Sequence, residues 1–171
     1  MKVIKTIFKI IMILIVVFLA TGLLIKETSY ITEIKINKPV SEVFKTFNDT
    51  SKINNWMPEV TSFIEVDARP GIVGSVYKII LKNEEELIEM TEKVLAYIPN
   101  KKATFSFNID DMLKIDDYNF RMQDSITVIT KNTIYKSDAY LMQCMFPYFK
   151  KMFMDEDQKY LDNFKAYIEK Q

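Results

Sequence analysis

The sequence predicts an α+β domain, an antiparallel sheet with one long C-terminal helix, that follows a single apolar segment near the N-terminus. Three observations support this prediction. Residues 7–25 are almost continuously apolar, the middle of the chain alternates apolar and polar side chains in short runs, and the last third switches to helical spacing. The chain has 171 residues, 49% of them hydrophobic, so it can form one domain with a sizeable core and an appendage.

The composition excludes several kinds of chemistry. The sequence has no histidine and one cysteine, Cys144, which excludes histidine-dependent catalysis, histidine-ligated metals and an intramolecular disulfide. Residues 1–29 hold four lysines and one glutamate, a net +3, and the other 19 basic and 22 acidic residues give −3. Because the domain is mildly acidic without a basic stripe, we expect no nucleic acid partner. We also expect no metal and no cofactor.

Residues 7–25, IFKIIMILIVVFLATGLLI, predict a transmembrane helix in the lipid bilayer. Such a helix is about 28 Å long, close to the ~30 Å hydrocarbon core. The alternative is a cleavable signal peptide, since Lys2, Lys5 and Lys9 form a basic region. The apolar run is longer than a usual signal peptide core, which favours the anchor.

The charges that flank this segment predict its orientation. Only basic groups precede it, whereas basic and acidic residues are mixed after it. The positive-inside rule therefore places the N-terminus in the cytoplasm and the domain on the non-cytoplasmic side of the cell membrane. The expected division is a short basic tail (1–6), a transmembrane helix (7–25), a linker (26–29) and the domain (30–171).

The domain begins with a strand and two short helices. Ser29–Asn37 alternates polar residues with isoleucines, which is typical of a strand. Pro39 suits a first helical turn, and apolar residues follow it at i, i+3, i+4, i+7 spacing. Residues 48–51 end that helix and offer caps for a second one, which Pro58 closes.

Tight turns then separate a series of strands, which predicts an antiparallel sheet. One of these turns is the charged segment Asn83–Glu86. From Met142 to Ile168 the apolar residues share one helical face, so we expect a long helix packed on the sheet, with a kink or break at Pro147.

Three short motifs, in order along the chain, carry a family resemblance. They are Ile34–Phe44 (strand, proline, helix), Asn55–Pro58 (a tryptophan that closes the second helix) and Asp162–Glu169, with Phe164 at a leucine position. They resemble the START-like or SRPBCC superfamily, and most of all its polyketide cyclase/dehydrase-like group, whose bacterial members often carry an N-terminal transmembrane segment. The resemblance implies a helix-grip fold, in which a curved antiparallel sheet of about six to seven strands surrounds the C-terminal helix.

The same resemblance implies an internal cavity that binds a hydrophobic small molecule or lipid, without selecting one function. Inward-facing aromatic and methionine side chains would favour an apolar ligand. The alternative is that they fill the core of a non-catalytic interaction or stress-response module. The candidate cavity residues are Phe105, Phe107, Phe120, Met122, Met145, Phe149, Met152 and Phe153.

Two glutamates are candidate catalytic residues for a cyclase- or hydratase-type enzyme. Glu89 and Glu92 lie within one predicted strand, where an inward carboxyl beside aromatic rings would have a raised pKa and act as a general base. A solvated, outward glutamate is the simpler alternative. We expect the acidic clusters Asp110-Asp111, Asp116-Asp117 and Asp155–Asp157 to be solvated turns and a helix face.

Overall fold

The structure, a computed structural model, describes residues 2–83 and 86–171. Its first helix, α1, spans Lys2–Leu24 and is exposed along most of its length. By length and composition it could cross a membrane. The first strand, β1, spans Glu27–Ile36, so it begins three residues before the expected domain start at Tyr30.

The remaining elements follow the predicted order of two short helices, a run of strands and a long helix. Of the turn expected at Asn83–Glu86, residues 84 and 85 lie outside the described residues, while Asn83 ends one strand and Glu86 begins the next. The elements are α2 (Val40–Phe47), a 3-10 helix (Thr50–Asn55), β2 (Val60–Asp67), β3 (Val76–Asn83), β4 (Glu86–Ile98), β5 (Lys102–Ile109), β6 (Met112–Gln123), β7 (Ile126–Ser137) and α3 (Tyr140–Ile168).

The strands form one seven-stranded sheet in the order β1-β7-β6-β5-β4-β3-β2. Every neighbouring pair is antiparallel, as the tight turns predict. Irregular register in the β2–β3 and β4–β5 pairs marks bulges, which bend strands locally. The helix α3 packs along β1. The sheet therefore grips α3, and the predicted helix-grip architecture is confirmed.

An aromatic cluster fills the core where α2, the 3-10 helix and α3 meet. The ring of Phe47 lies 5.4 Å from Trp56 and 5.3 Å from Phe164, and Trp56 lies 5.2 Å from Phe164. Phe44 and Phe120 extend the cluster towards the sheet. Trp56 thus holds the short helices against α3, and this end of the domain is densely packed.

Pro147 does not break α3, which is continuous from Tyr140 to Ile168. Proline lacks an N–H, so the carbonyl of Gln143 loses its usual helical donor at this turn. Packing on both sides of Pro147 compensates for the loss. Phe146 and Cys144 before it, and Leu161 after it, are buried against neighbouring elements.

The end of α1 packs tightly against the start of α3. The Thr21 hydroxyl donates to the Cys144 carbonyl at 3.1 Å. Gly22 faces the same turn, and a Cβ atom there would lie only 2.5 Å from the Cys144 sulfur. Only glycine allows the two helices this close approach. Thus α1 is joined to the domain by packing as well as by the chain.

Candidate ligand cavity

A partly enclosed cavity of about 300 Å³ lies beside the aromatic cluster, between strands β3–β6 and the second half of α3. This volume lies at the lower end of the range for small-molecule sites and equals roughly ten water molecules of liquid. It therefore suits one small ligand. The apolar wall includes Met57, Val60, Ile79, Leu81, Met90, Val94, Phe105, Phe107 and Ile109.

The pairing register brings polar residues together at one side of this cavity. Glu92 lies opposite Phe107, Phe107 opposite Lys114, and Lys114 opposite Tyr135, so that these four form one row across the sheet. Since side chains alternate along each strand, Asp116 lies two residues further along β6 on the same inner face. We call the set Glu92, Lys114, Asp116, Lys131 and Asp157 the polar floor.

Two lysines and two aspartates of the polar floor form a closed charge cluster. Lys131 lies 3.0 Å from Asp116 and 2.7 Å from Asp157. Lys114 lies 3.4 Å from Asp116 and 2.8 Å from Asp157. Tyr30 donates a further hydrogen bond to Asp157, at 2.7 Å. Charges buried this deeply persist when each has opposite partners, and here both lysines and both carboxylates do.

The pKa directions of Asp157 and Lys114 favour their ionised forms, whereas burial, the largest cause, lowers the pKa of Lys131. Burial would raise the pKa of Asp157, but Lys114 and Lys131 outweigh it and hold that pKa well below the usual range. Burial would lower the pKa of Lys114, but Asp116 and Asp157 raise it well above its usual value. With its four groups ionised the cluster is neutral overall, and because each lysine pairs with both carboxylates it offers a ligand no unpaired cation.

Glu92 is the one acid of the polar floor outside this cluster. Glu92 is 7% exposed and faces the cavity. Burial, and secondly the charge of Asp116, raise its pKa to about 8. Its carboxyl makes no hydrogen bond or ion pair with any residue in 2–83 or 86–171. At neutral pH it is mainly protonated, so it can donate a hydrogen bond into the cavity.

Glu89 lies on the opposite face of β4, because three positions separate it from Glu92. Its side chain is 59% exposed and forms an ion pair with Lys78 at 2.6 Å. The structure therefore places one of the two candidate glutamates in the cavity and the other in solvent.

The strand residues expected to line a cavity divide in the same way. Phe105 and Phe107 line it. Phe120 is buried in the aromatic cluster, 5.0 Å from Phe44, and does not reach the cavity. Met122 is half exposed near the far end of β6, beside a second, open depression. Both follow the inward alternation of β6, but α2 covers that end of the strand.

None of the four expected residues from the first half of α3 lines the cavity. Phe153 stacks on Tyr135 at 4.5 Å, and Phe149 lies next to Phe153. Met145 is half-buried, and Met152 is exposed. The first half of α3 packs on α1, β1 and β7, whereas its second half faces the cavity through Glu156, Asp157, Tyr160 and Leu161.

The expectation that all three acidic clusters are solvated was wrong for two residues. Asp116 and Asp157 are each 2% exposed, and their lysine partners were not predicted. A signal did exist for Asp157, which shares one helical face with Leu161, Phe164 and Ile168. An acid on an apolar stripe indicates a buried partner of opposite charge. Among the described residues, no group of acidic or cysteine side chains forms a metal site.

No family model matches the chain, and no curated protein matches it in sequence. Solved structures do match. TTHA0849 from Thermus thermophilus has a TM-score of 0.68 at 14% identity, over 82% of this chain and 97% of that one. Ara h 8.0201 has a TM-score of 0.66 at 11% identity, over 85% and 99%. The di-domain ARO/CYC StfQ from the steffimycin biosynthetic pathway has 0.69 at 9% identity, over 84% and 51%. With these neighbours and its own topology, the chain has the START-like helix-grip fold.

Proposed function

We propose that this chain is a membrane-anchored helix-grip domain that binds a hydrophobic small molecule or lipid with one neutral polar group. The observation that carries the proposal is the apolar cavity of about 300 Å³ with the unpartnered carboxyl of Glu92 in its wall. A pocket lined by apolar side chains with a few convergent polar groups is the usual form of a small-molecule site. The packed-core alternative is disfavoured, since the aromatic cluster fills only one end of the domain.

The polar floor favours a neutral ligand over an anion. Lys114 and Lys131 already share two carboxylates, so neither is free to pair with an acidic ligand. The negative charge of an anionic ligand beside Asp116 would also lose its hydration without gaining a new partner. The protonated Glu92 can donate to a ligand carbonyl or hydroxyl oxygen.

Two features support a membrane-borne source for this ligand. The packing of Gly22 against Cys144 favours a retained α1 over a cleaved signal peptide. The start of β1 and the β5–β6 hairpin lie at the same end of the sheet, because β7 pairs with both β1 and β6 there. Ile109 of the cavity wall lies at that end, near the strand that α1 enters. We infer from the flanking charges that the domain faces the non-cytoplasmic side.

A titration with a matched pair of ligands tests the proposal. The single tryptophan, Trp56, lines the cavity, so its fluorescence reports occupancy of the site. We expect 1-decanol to change the fluorescence of the full chain in detergent saturably at pH 7, and decanoate to bind at least several-fold more weakly. Absence of saturable binding by both compounds would refute the apolar site, and tighter binding of decanoate would refute the neutral polar end.

One observation favours a second function, that of an enzyme. A cavity glutamate with a pKa near 8 is poised to transfer protons, and at neutral pH it would act first as a general acid, not as the general base that the sequence suggested. The molecules that co-purify with wild-type and Glu92→Gln protein discriminate between the functions. Identical masses in both preparations support binding alone, whereas a substrate that accumulates only in the variant supports catalysis.

A further inference from the structure

The two tyrosines of α3 nearest its start contact α1 well before the end of that helix. The Tyr140 hydroxyl donates to the Leu19 carbonyl, and the Tyr148 ring lies 5.8 Å from the Phe18 ring. Ile25, the end of the predicted span, lies six positions after Leu19, which corresponds to about 9 Å of helix. If residues 7–25 cross the bilayer, these contacts place the start of α3 below the bilayer surface.

The composition of this part of α3 fits such a position. Residues 140–149 (YLMQCMFPYF) contain no charged side chain. Leu141, Tyr148 and Met152 are all more than half exposed in the structure, so this helix segment presents apolar surface that no described residue covers. Lys150 and Lys151 follow directly and are exposed. Tyrosines at the interface and lysines that reach the headgroups are typical of membrane-embedded segments.

We propose that the first part of α3, residues 140–152, lies in the interface of the bilayer beside α1, with the two lysines at anionic headgroups. This inference rests on the proposed anchor. Two segments, α1 and the start of α3, would then hold the domain on the membrane. Because Asp157 lies on α3, this helix runs from the membrane surface to the polar floor. Both α1 and the start of α3 expose large apolar side chains, the two helices pack on each other, and the bilayer is the occupant that fits both.

Depth-dependent quenching tests the proposal on the full chain. In a Cys144→Ser background, single cysteines at Leu141, Tyr148, Ile13 and Asp162 carry an NBD fluorophore. Each protein is placed in vesicles of phosphatidylcholine and phosphatidylglycerol that contain spin-labelled lipid. We expect strong quenching at 13, quenching at 141 and 148 several-fold greater than at 162, and little quenching at 162, which is exposed on the far half of α3.

The outcomes separate this inference from the anchor. Quenching at 13 without quenching at 141 and 148 would leave the anchor intact and overturn the interfacial position of α3. No quenching at 13 would overturn the anchor, and the docked position with it. All four labelled positions are exposed, so the labels do not disturb the core. Circular dichroism of each labelled protein checks that it is folded.

Discussion

Asp157 is the residue on which the buried polar contacts of this domain converge. It accepts hydrogen bonds from Tyr30 and Thr133 and pairs with Lys114 and Lys131. We predict that Asp157→Asn lowers the free energy of unfolding by about 3–5 kcal/mol, because it leaves a buried positive charge without compensation. Urea unfolding of the full chain in detergent measures this loss.

The matched control for this prediction is Asp155→Asn, on the same helix. Asp155 pairs with Lys151 at the surface, and both side chains are more than half exposed. Exposed pairs of this kind contribute little, so the control should lose less than about 1 kcal/mol. Equal losses in the two variants would show that the buried cluster has no special energetic role.

Glu92 gives the domain a pH-dependent stability. Its pKa is about 8 in the folded protein and 4.5 ordinarily, so the folded state holds a proton that the unfolded state releases between these values. The contribution of Glu92 to the free energy of unfolding is fully present below pH 4.5 and is lost as the pH rises to about 8. We predict that Glu92→Gln removes this loss, a gain on the order of a few kcal/mol at pH 8 relative to pH 4.5. Unfolding of both proteins across this range measures it, and parallel curves would contradict the raised pKa.

Among the elements, α3 has the most varied partners, and that explains which cavity residues the sequence could not assign. A wide apolar stripe predicts a buried helix but does not distinguish its partners. Here the stripe meets α1 near Cys144, the sheet near Phe153 and the cavity near Leu161. Only the second half of the helix lines the cavity, so the residues expected there from Met145 to Phe153 lie outside it.

The pairing of α1 with α3 makes a prediction at the same scale. A short bis-maleimide should link cysteines placed at Phe18 and Tyr148 in a Cys144→Ser background, because their rings lie 5.8 Å apart. Adding Gly22→Leu should reduce the yield of this cross-link several-fold, since a side chain there has no room beside position 144. Ala20→Leu, which adds comparable bulk at an exposed position of α1, should leave the yield unchanged. An equal effect of the two changes would argue against packing through Gly22.

At the scale of the whole molecule, the sequence was sufficient for the fold and insufficient for the polar floor. Periodicity is a local property, so the strands, the short helices and α3 could be predicted in order. The polar floor depends on the pairing register of β4 to β7 and on the position of α3 against them, which local periodicity does not give. Glu89 and Glu92 had to point to opposite faces, but only pairing with β5 shows that Glu92 is the inward one. Lys131 and Asp157, from different elements, meet only after the sheet has closed on α3.

Ligand binding should also stabilise the domain as a whole. A ligand that binds only the folded state adds about 2.7 kcal/mol at one hundred times its dissociation constant. We predict that 1-decanol raises the thermal midpoint of the wild-type chain, since the cavity is lined by several elements that unfold together. Ile79→Trp, which fills the cavity from β3, should abolish this rise, while Met122→Trp, outside the cavity, should retain it. A rise that persists in Ile79→Trp would place the ligand elsewhere, and the exposed apolar surface beside α1 would then be the site to examine.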